Sequence, residues 1–108
     1  MSNLPTLFSA LSDPTRFAIV ERLLARGECA AGDLADVADI SAPAISRHLK
    51  TLRQAGLIQQ RVAGTHRYYS VEPRAMHSIA AWTMDHQAFW EGSMARLARA
   101  FSGIGQED

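Results

Sequence analysis

The chain has 108 residues, 47% of them hydrophobic, which suits one compact domain with a true core and is too short for two. Its formal net charge is zero, and its single cysteine, Cys29, excludes an internal disulfide. No apolar run approaches the roughly 18 residues of a membrane span, and the start lacks the basic and apolar segments of a signal peptide. These features predict a cytoplasmic protein.

Two helices are predicted at the start of the chain. The first is marked by apolar residues at helical spacing, namely Leu4, Leu7, Phe8 and Leu11. The second runs from Pro14 to about Arg26, because Asp13 is a good N-cap and proline suits the first helical position. Gly27 ends this helix. Its expected core face comprises Phe17, Val20, Leu23 and Leu24.

A short third helix is predicted over about residues 31–38, followed by a turn and a fourth helix. The third helix should turn Leu34, Ala35 and Ala38 inward. Ser41 caps the fourth helix, and Gly56 closes it. At about 100° per residue, one arc of the fourth helix faces the core with Ile45, Leu49 and Leu52. The opposite, polar arc carries Pro43, Ser46, Arg47, Lys50 and Gln54.

A β-hairpin and one long helix complete the predicted elements. The strands are 57–62 and 66–71, joined by Ala63-Gly64-Thr65, with Tyr68, Tyr69 and Val71 anchoring the hairpin to the core. Arg61 and Arg67 flank the turn, with His66 between them. The last helix is expected from Pro73 to about Phe101, followed by a frayed tail over 103–108.

The positive charge is concentrated in the fourth helix and the hairpin. Residues 41–74 carry six Lys and Arg against one Glu, a net charge of +5. Residues 1–40 carry three Arg against six acids, and residues 75–108 carry two Arg against four. Clustered charge governs the local attraction to phosphate whatever the total. A basic helix followed by a basic hairpin is the layout of a winged helix-turn-helix that binds DNA.

The polar arc of the fourth helix and the hairpin arginines are the candidate DNA contacts. Arginine suits guanine, glutamine suits adenine, and serine and lysine more often hold phosphates. Arg61, His66 and Arg67 are expected along phosphates or in a minor groove. The alternatives are a solvated helix face and a merely soluble hairpin. His48 is predicted to be a packed, hydrogen-bonded histidine, with a phosphate contact as the alternative.

Three segments together resemble the ArsR family of small bacterial transcriptional repressors: LFSALSDPTRFAIVERLL, DLADVADISAPAISRHLKTLRQAGLI and the wing RVAGTHRYY. The resemblance covers roughly residues 4–72. It implies a winged-helix homodimer that binds palindromic operator DNA and inserts the fourth helix in the major groove. Carried over, the base contacts are Ser46 and Arg47, with Ala42 and Pro43 at the helix start.

Neither a metal site nor another cofactor is predicted. Metal-sensing members of the family carry a Cys-x-Cys near the third helix, where this chain has ECAAGDL with Cys29 alone. Others use ligands on the last helix, but His77 and His86 lie about 180° apart on one helix, and no later histidine follows. Cys29 is interpreted as a small core thiol, with a redox switch as the alternative.

The last helix carries an apolar stripe that so small a domain cannot cover alone. The stripe consists of Met76, Ile79, Trp82, Phe89, Trp90, Met94, Leu97 and Phe101. It predicts a homodimer seam formed with the first helix. The seam residues are Leu4, Leu7, Phe8, Trp82, Phe89, Trp90, Met94 and Leu97. The alternative is a pocket lined by Trp82, Phe89 and Trp90 for an unidentified small-molecule effector.

The predicted protein is one winged helix-turn-helix domain over residues 1–108, mainly α with a small β-hairpin. It has about five helices, a two-stranded wing and dimerisation helices at both ends. The predicted function is a sequence-specific, homodimeric repressor that binds double-stranded DNA. The alternatives are a protein-binding winged-helix adaptor, an activator and a thiol-responsive regulator. No nucleophile–base set or phosphate-binding glycine loop indicates an enzyme, and no catalytic residue is assigned.

Overall fold

The computed structural model describes residues 3–105, with side chains over 3–102. The chain divides after Ser78 into two units, which are considered separately. The first unit holds the winged-helix elements, and the second holds the end of one helix and all of another. Among residues 3–105, every helix is too short or too polar to cross a lipid bilayer.

Two capped helices open the first unit. Helix α1 spans Leu4–Leu11, and helix α2 spans Pro14–Arg26 as predicted. The Asp13 carboxylate accepts a hydrogen bond of 3.0 Å from the Arg16 backbone N–H, which satisfies one of the free donors of the first turn of α2. Arg16 in turn donates from Nε to the Ala10 carbonyl at 2.7 Å, so its side chain ties α2 to the end of α1.

The core of the first unit is mainly aliphatic. Its most deeply buried side chains are Leu7, Ile19, Leu23, Leu34, Leu52 and Leu57. The predicted core face of α2 was partly wrong, because Phe17 and Leu24 are 49% and 57% exposed. Ile19 takes their place. At about 100° per residue, Phe17 and Leu24 lie some 140–160° from Ile19, on the outer arc.

The wing belongs to a three-stranded antiparallel sheet and not to a two-stranded one. Strand β1 (Cys29–Ala30) pairs with β3 (His66–Val71), which pairs with β2 (Ile58–Ala63). The two residues of β1 are too few to produce an alternation in the sequence. Gly64 has φ of +62° at the hairpin turn, where positive φ is what a two-residue primed turn requires.

The third predicted helix was wrong in type and length. Residues Ala31–Leu34 form one turn of 3-10 helix, and turns and bends follow as far as Ile40. Leu34 is buried as expected, but Ala35 is exposed. The aspartates here form other bonds in place of a continued helix: Asp33 accepts locally from the Ala30 N–H at 3.3 Å, and Asp36 pairs with Arg22 of α2.

Helix α3 (Ala42–Gln54) is the predicted fourth helix, and its core face is confirmed. Ile45, Leu49 and Leu52 are all buried. Gly56 ends the helix with φ of +84°, a conformation that side chains rarely adopt. The Leu57 N–H then donates to the Leu52 carbonyl at 3.0 Å and leads the chain directly into the wing.

The predicted single last helix is in fact two, α4 (Pro73–Asp85) and α5 (Gln87–Gly105). His86 interrupts the helix, because its backbone N–H bonds to the Thr83 carbonyl, three residues back, at 3.2 Å. The His86 ring lies 2.8 Å from the Trp82 carbonyl, the normal partner of that N–H. Of the tail predicted over 103–108, residues 103–105 are helical and residues 106–108 lie outside the described part of the chain.

Candidate nucleic-acid interface

Helix α3 presents its polar arc from a fixed base. The Ser41 hydroxyl accepts from the Ala44 N–H at 3.3 Å and caps the N-terminus, and three buried aliphatic residues hold the opposite face in the core. The helix therefore cannot rotate about its axis without exposing apolar surface. Its outward residues, Ala42, Pro43, Ser46, Arg47, Lys50 and Gln54, are all exposed.

The cations on this arc remain available for a ligand. Over residues 3–102, the Arg47 guanidinium and the Lys50 ammonium take part in no hydrogen bond or ion pair. A shallow groove of about 400 Å³ continues from the end of α3 to β2. Lys50, Arg53 and Gln54 line it on the helix side, and Gln59 and Gln60 on the strand side. The helix and the wing thus form one continuous polar, basic surface.

The register of the wing places its two arginines on opposite faces of the sheet. Val62 pairs with Arg67, on the face that carries the buried Ile58 and Tyr69. Arg61 pairs with Tyr68 on the other, outer face. Successive side chains of a strand alternate between faces, so this division follows from register alone. Arg67 is exposed and has no ion-pair partner within residues 3–102.

Arg61 is already paired within the chain. Its Nε and NH2 groups donate to the two carboxylate oxygens of Glu28, at 3.1 Å and 2.7 Å. The guanidinium carbon lies 4.6 Å from the centre of the Tyr68 ring, and the His66 ring lies 6.2 Å from that ring. The hydrogen bonds from Arg61 lower the pKa of Glu28, and those to Glu28 raise the pKa of Arg61.

Sequence reasoning missed Glu28, and no signal in the sequence points to it. Glu28 and Arg61 are 33 positions apart, and Glu28 precedes a strand that was not predicted. Only the order β1-β3-β2 brings the segment before β1 within reach of β2, across the central strand. The predicted role of Arg61 as a phosphate contact remains a prediction.

His48 lies at the inner edge of α3. Its Nδ1 is 3.9 Å from the carboxylate of Asp13, and both side chains are partly buried between α2 and α3. The hydrogen bond from the Arg16 N–H is the main cause that lowers the pKa of Asp13, and His48 adds to it. His48 therefore faces the cap of α2 and not the polar arc.

A second ion pair holds the segment that precedes α3. Arg22 on α2 binds the Asp36 carboxylate and donates to the Asp33 carbonyl at 3.1 Å. The hydrogen bond from Arg22 lowers the pKa of Asp36. This pair fixes the irregular segment 35–40 against α2, and that segment sets where α3 begins. The sequence did not predict this pair.

The residues considered for metal or redox chemistry either lie apart from one another or contact groups of their own chain. Within the described residues, no group of three or more His, Cys, Asp and Glu side chains converges on one point. The buried Cys29 thiol lies 3.4 Å from the Gly27 carbonyl. His86 stacks near Trp82 at 4.8 Å and contacts its carbonyl.

The predicted dimer residues fall into two groups. On α1, Leu7 is only 1% exposed and packs in the core of its own chain, so it offers almost no surface to a partner, whereas Phe8 is exposed. In the second unit, the outward apolar residues are Trp82, Phe89, Trp90, Met94 and Leu97. The rings of Phe89 and Trp90 meet edge to face at 5.2 Å.

Comparison with known proteins agrees with this geometry. A family model described as a helix-turn-helix domain matches residues 11–61. The HTH-type transcriptional regulator Rv2034 of Mycobacterium tuberculosis is 41% identical, over 93% of this chain and 90% of its own. The transcriptional repressor SdpR of Bacillus subtilis is 39% identical, over 73% and 87%.

A solved structure extends the likeness to the three-dimensional fold over most of the chain. The crystal structure of the ArsR family transcriptional regulator RHA00566 superimposes with a TM-score of 0.72 at 33% identity, over 82% of this chain and 96% of its own. Identity at this level over most of both chains, together with the winged helix, establishes kinship. The chain belongs to the ArsR family of helix-turn-helix transcriptional regulators.

Proposed function

We propose that this protein is a homodimeric transcriptional repressor that binds a palindromic operator. It acts in the cytoplasm and catalyses no reaction. The observation that carries the proposal is the outward arc of α3, where Arg47 and Lys50 stand exposed and unpaired above a buried apolar face. The names of its relatives, which include repressors, support repression as the direction of regulation.

The proposed complex places the N-terminal half of α3 in the major groove. Arg47 contacts guanine in bidentate geometry, and Ser46, with Ala42 and Pro43 at the helix start, packs against the base edges. Lys50 and Gln54 follow toward the end of the helix, where the groove to β2 continues the surface. His66 and Arg67 on the wing approach the flanking phosphates.

Two copies are needed because one α3 covers only one half-site. A symmetric dimer presents two such helices, and a palindrome presents the matching half-sites about one helical turn apart. The exposed aromatic residues of the second unit, Phe89 and Trp90 above all, support a partner made of a second copy of this chain.

The test is selection of bound duplexes from a random library, followed by affinity measurements at several salt concentrations. We expect a palindromic consensus, a mass of two chains bound per site, and an affinity that falls steeply with salt. Binding without sequence preference or salt dependence would overturn the proposal and favour a protein-binding adaptor. A reporter gene behind the selected operator then separates repression from activation by the sign of the response.

A further inference from the structure

The outer face of the wing carries an arginine whose charge is already matched. The side chains of Arg61 and Glu28 are 56% and 38% exposed, so the pair lies at the surface and not in the core. An isolated exposed ion pair stabilises little and opens easily. This pair differs, because both carboxylate oxygens are engaged in parallel bonds and the guanidinium also stacks on Tyr68.

Three contacts therefore hold one side chain in one place. Glu28 lies before β1 and Arg61 on β2, with Tyr68 of the central strand between them. The fork of a guanidinium fits a carboxylate in the way that it fits a phosphate. Glu28 occupies, on Arg61, the position that a DNA phosphate would take.

A phosphate can bind the Arg61 guanidinium in the same bidentate way only by displacing Glu28. The displaced carboxylate would then remain beside the incoming phosphate, and two anions at short range repel each other. Arg67, on the opposite face of the hairpin, has no such competitor among residues 3–102. The two wing arginines look equivalent in the sequence. They differ because Arg61 must break an ion pair before it can bind a phosphate, and Arg67 need not.

We propose that Glu28 substitutes for phosphate on Arg61 and keeps this arginine out of the DNA contact. The inference rests on the proposed function and adds to it a limit on sequence-independent affinity. Phosphate contacts strengthen binding to every duplex alike. Withholding one cation per chain therefore lowers the affinity for operator and non-operator DNA by the same factor, while the base contacts of α3 stay unchanged.

The test measures affinity for the selected operator and for a scrambled duplex across a salt series, with four proteins. Glu28→Gln removes the competing carboxylate, and Glu28→Gln/Arg61→Gln removes both partners. Glu21→Gln makes the same change of charge on α2, where the Glu21 carboxylate forms no hydrogen bond or ion pair within residues 3–102. The fourth protein is the wild type, and circular dichroism confirms that each variant is folded.

We expect Glu28→Gln to bind both duplexes more tightly and to steepen the slope of log affinity against log salt by about 0.9 per bound chain. Because two chains bind each operator, the slope changes by about 1.8 in all, and the affinity falls about twelvefold further than that of the wild type between 50 and 200 mM salt. The double variant should return to the wild-type slope, and Glu21→Gln should match the wild type throughout.

Two results would overturn the inference and leave the proposed function standing. One is a Glu28→Gln slope equal to that of the wild type. The other is a double-variant slope shallower than the wild-type slope by about 0.9 per bound chain, which means that Arg61 already neutralises a phosphate. A second readout needs no variant: the NMR chemical shift of the Arg61 Nε–H should be the same in the DNA complex as in the free protein. If the wild type binds neither duplex, the proposed function itself is wrong.

Discussion

At the scale of single residues, the structure separates arginines that the sequence presents as alike. Arg47 is exposed on α3 with no partner in the described part of the chain, whereas Arg22 and Arg61 are each tied to a carboxylate. A guanidinium bound to an acid has little net charge to offer a phosphate. Free and paired arginines should therefore differ sharply when they are removed.

Arg47→Ala should weaken operator binding by roughly 1–3 kcal/mol per half-site, the usual value of one bidentate contact to a base. Its affinity for scrambled DNA should change much less. Lys50→Ala is the matched comparison, because a lysine on phosphate weakens both duplexes together. Fluorescence anisotropy with the two duplexes measures all four values. An equal loss on both duplexes for Arg47→Ala would show that Arg47 is not the base contact.

The pKa of Glu28 is lowered in the folded chain, chiefly by the hydrogen bonds from Arg61. A lowered pKa means that the pair stabilises the fold above the ordinary value of 4.5 and that this contribution disappears as pH falls through the folded pKa. Glu28→Gln should therefore be less stable than the wild type at pH 7, and the difference should vanish in acid. Urea unfolding at neutral and acid pH tests this. A difference that persists unchanged in acid would contradict the ion pair.

At the scale of elements, local sequence signals were enough to predict the start of a helix that is long and capped. Helix α2 begins at Pro14 and α3 near Ser41 as predicted, because each start combines a side-chain cap with an early proline. The signals failed where a side-chain contact, distant or local, competes with the helix. Asp36 bonds to Arg22 instead of continuing the third helix, and His86 breaks the last helix.

Ser41→Ala should lower the free energy of unfolding by about 1 kcal/mol, the usual cost of a lost N-cap. Ser46→Ala is the matched control, since it makes the same substitution on the exposed face of the same helix without touching the cap. Denaturant unfolding of the two variants gives the comparison. Equal stabilities would mean that the 3.3 Å bond from the Ala44 N–H to Ser41 does not hold the start of α3.

At the scale of the whole molecule, the second unit exposes more aromatic surface than a small monomer usually leaves in water. We expect Trp90→Asp, at a side chain that is 50% exposed, to convert dimers to monomers and to weaken operator binding on the order of 100-fold. A charge placed in an apolar seam cannot be solvated there. Light scattering gives the mass and a binding titration the affinity.

Leu24→Asp is the control for that experiment, because it places the same charge at an exposed apolar residue on the outer arc of α2. It should leave the mass and the affinity unchanged. If Trp90→Asp keeps the mass of two chains, or if Leu24→Asp dissociates the dimer instead, the seam lies elsewhere.

The sequence by itself determined the winged helix, the family and the polar arc of α3. The family follows from the resemblance of three sequence segments. The winged helix and the polar arc rest on local periodicity, caps and charge clusters, which act over one or two turns of chain. Tertiary structure alone decided that Phe17 and Leu24 face outward, that β1 joins the sheet, and that Glu28 holds Arg61. Each of these depends on a neighbour far along the chain. Spacing within a segment carries no information about which distant residue that segment will meet.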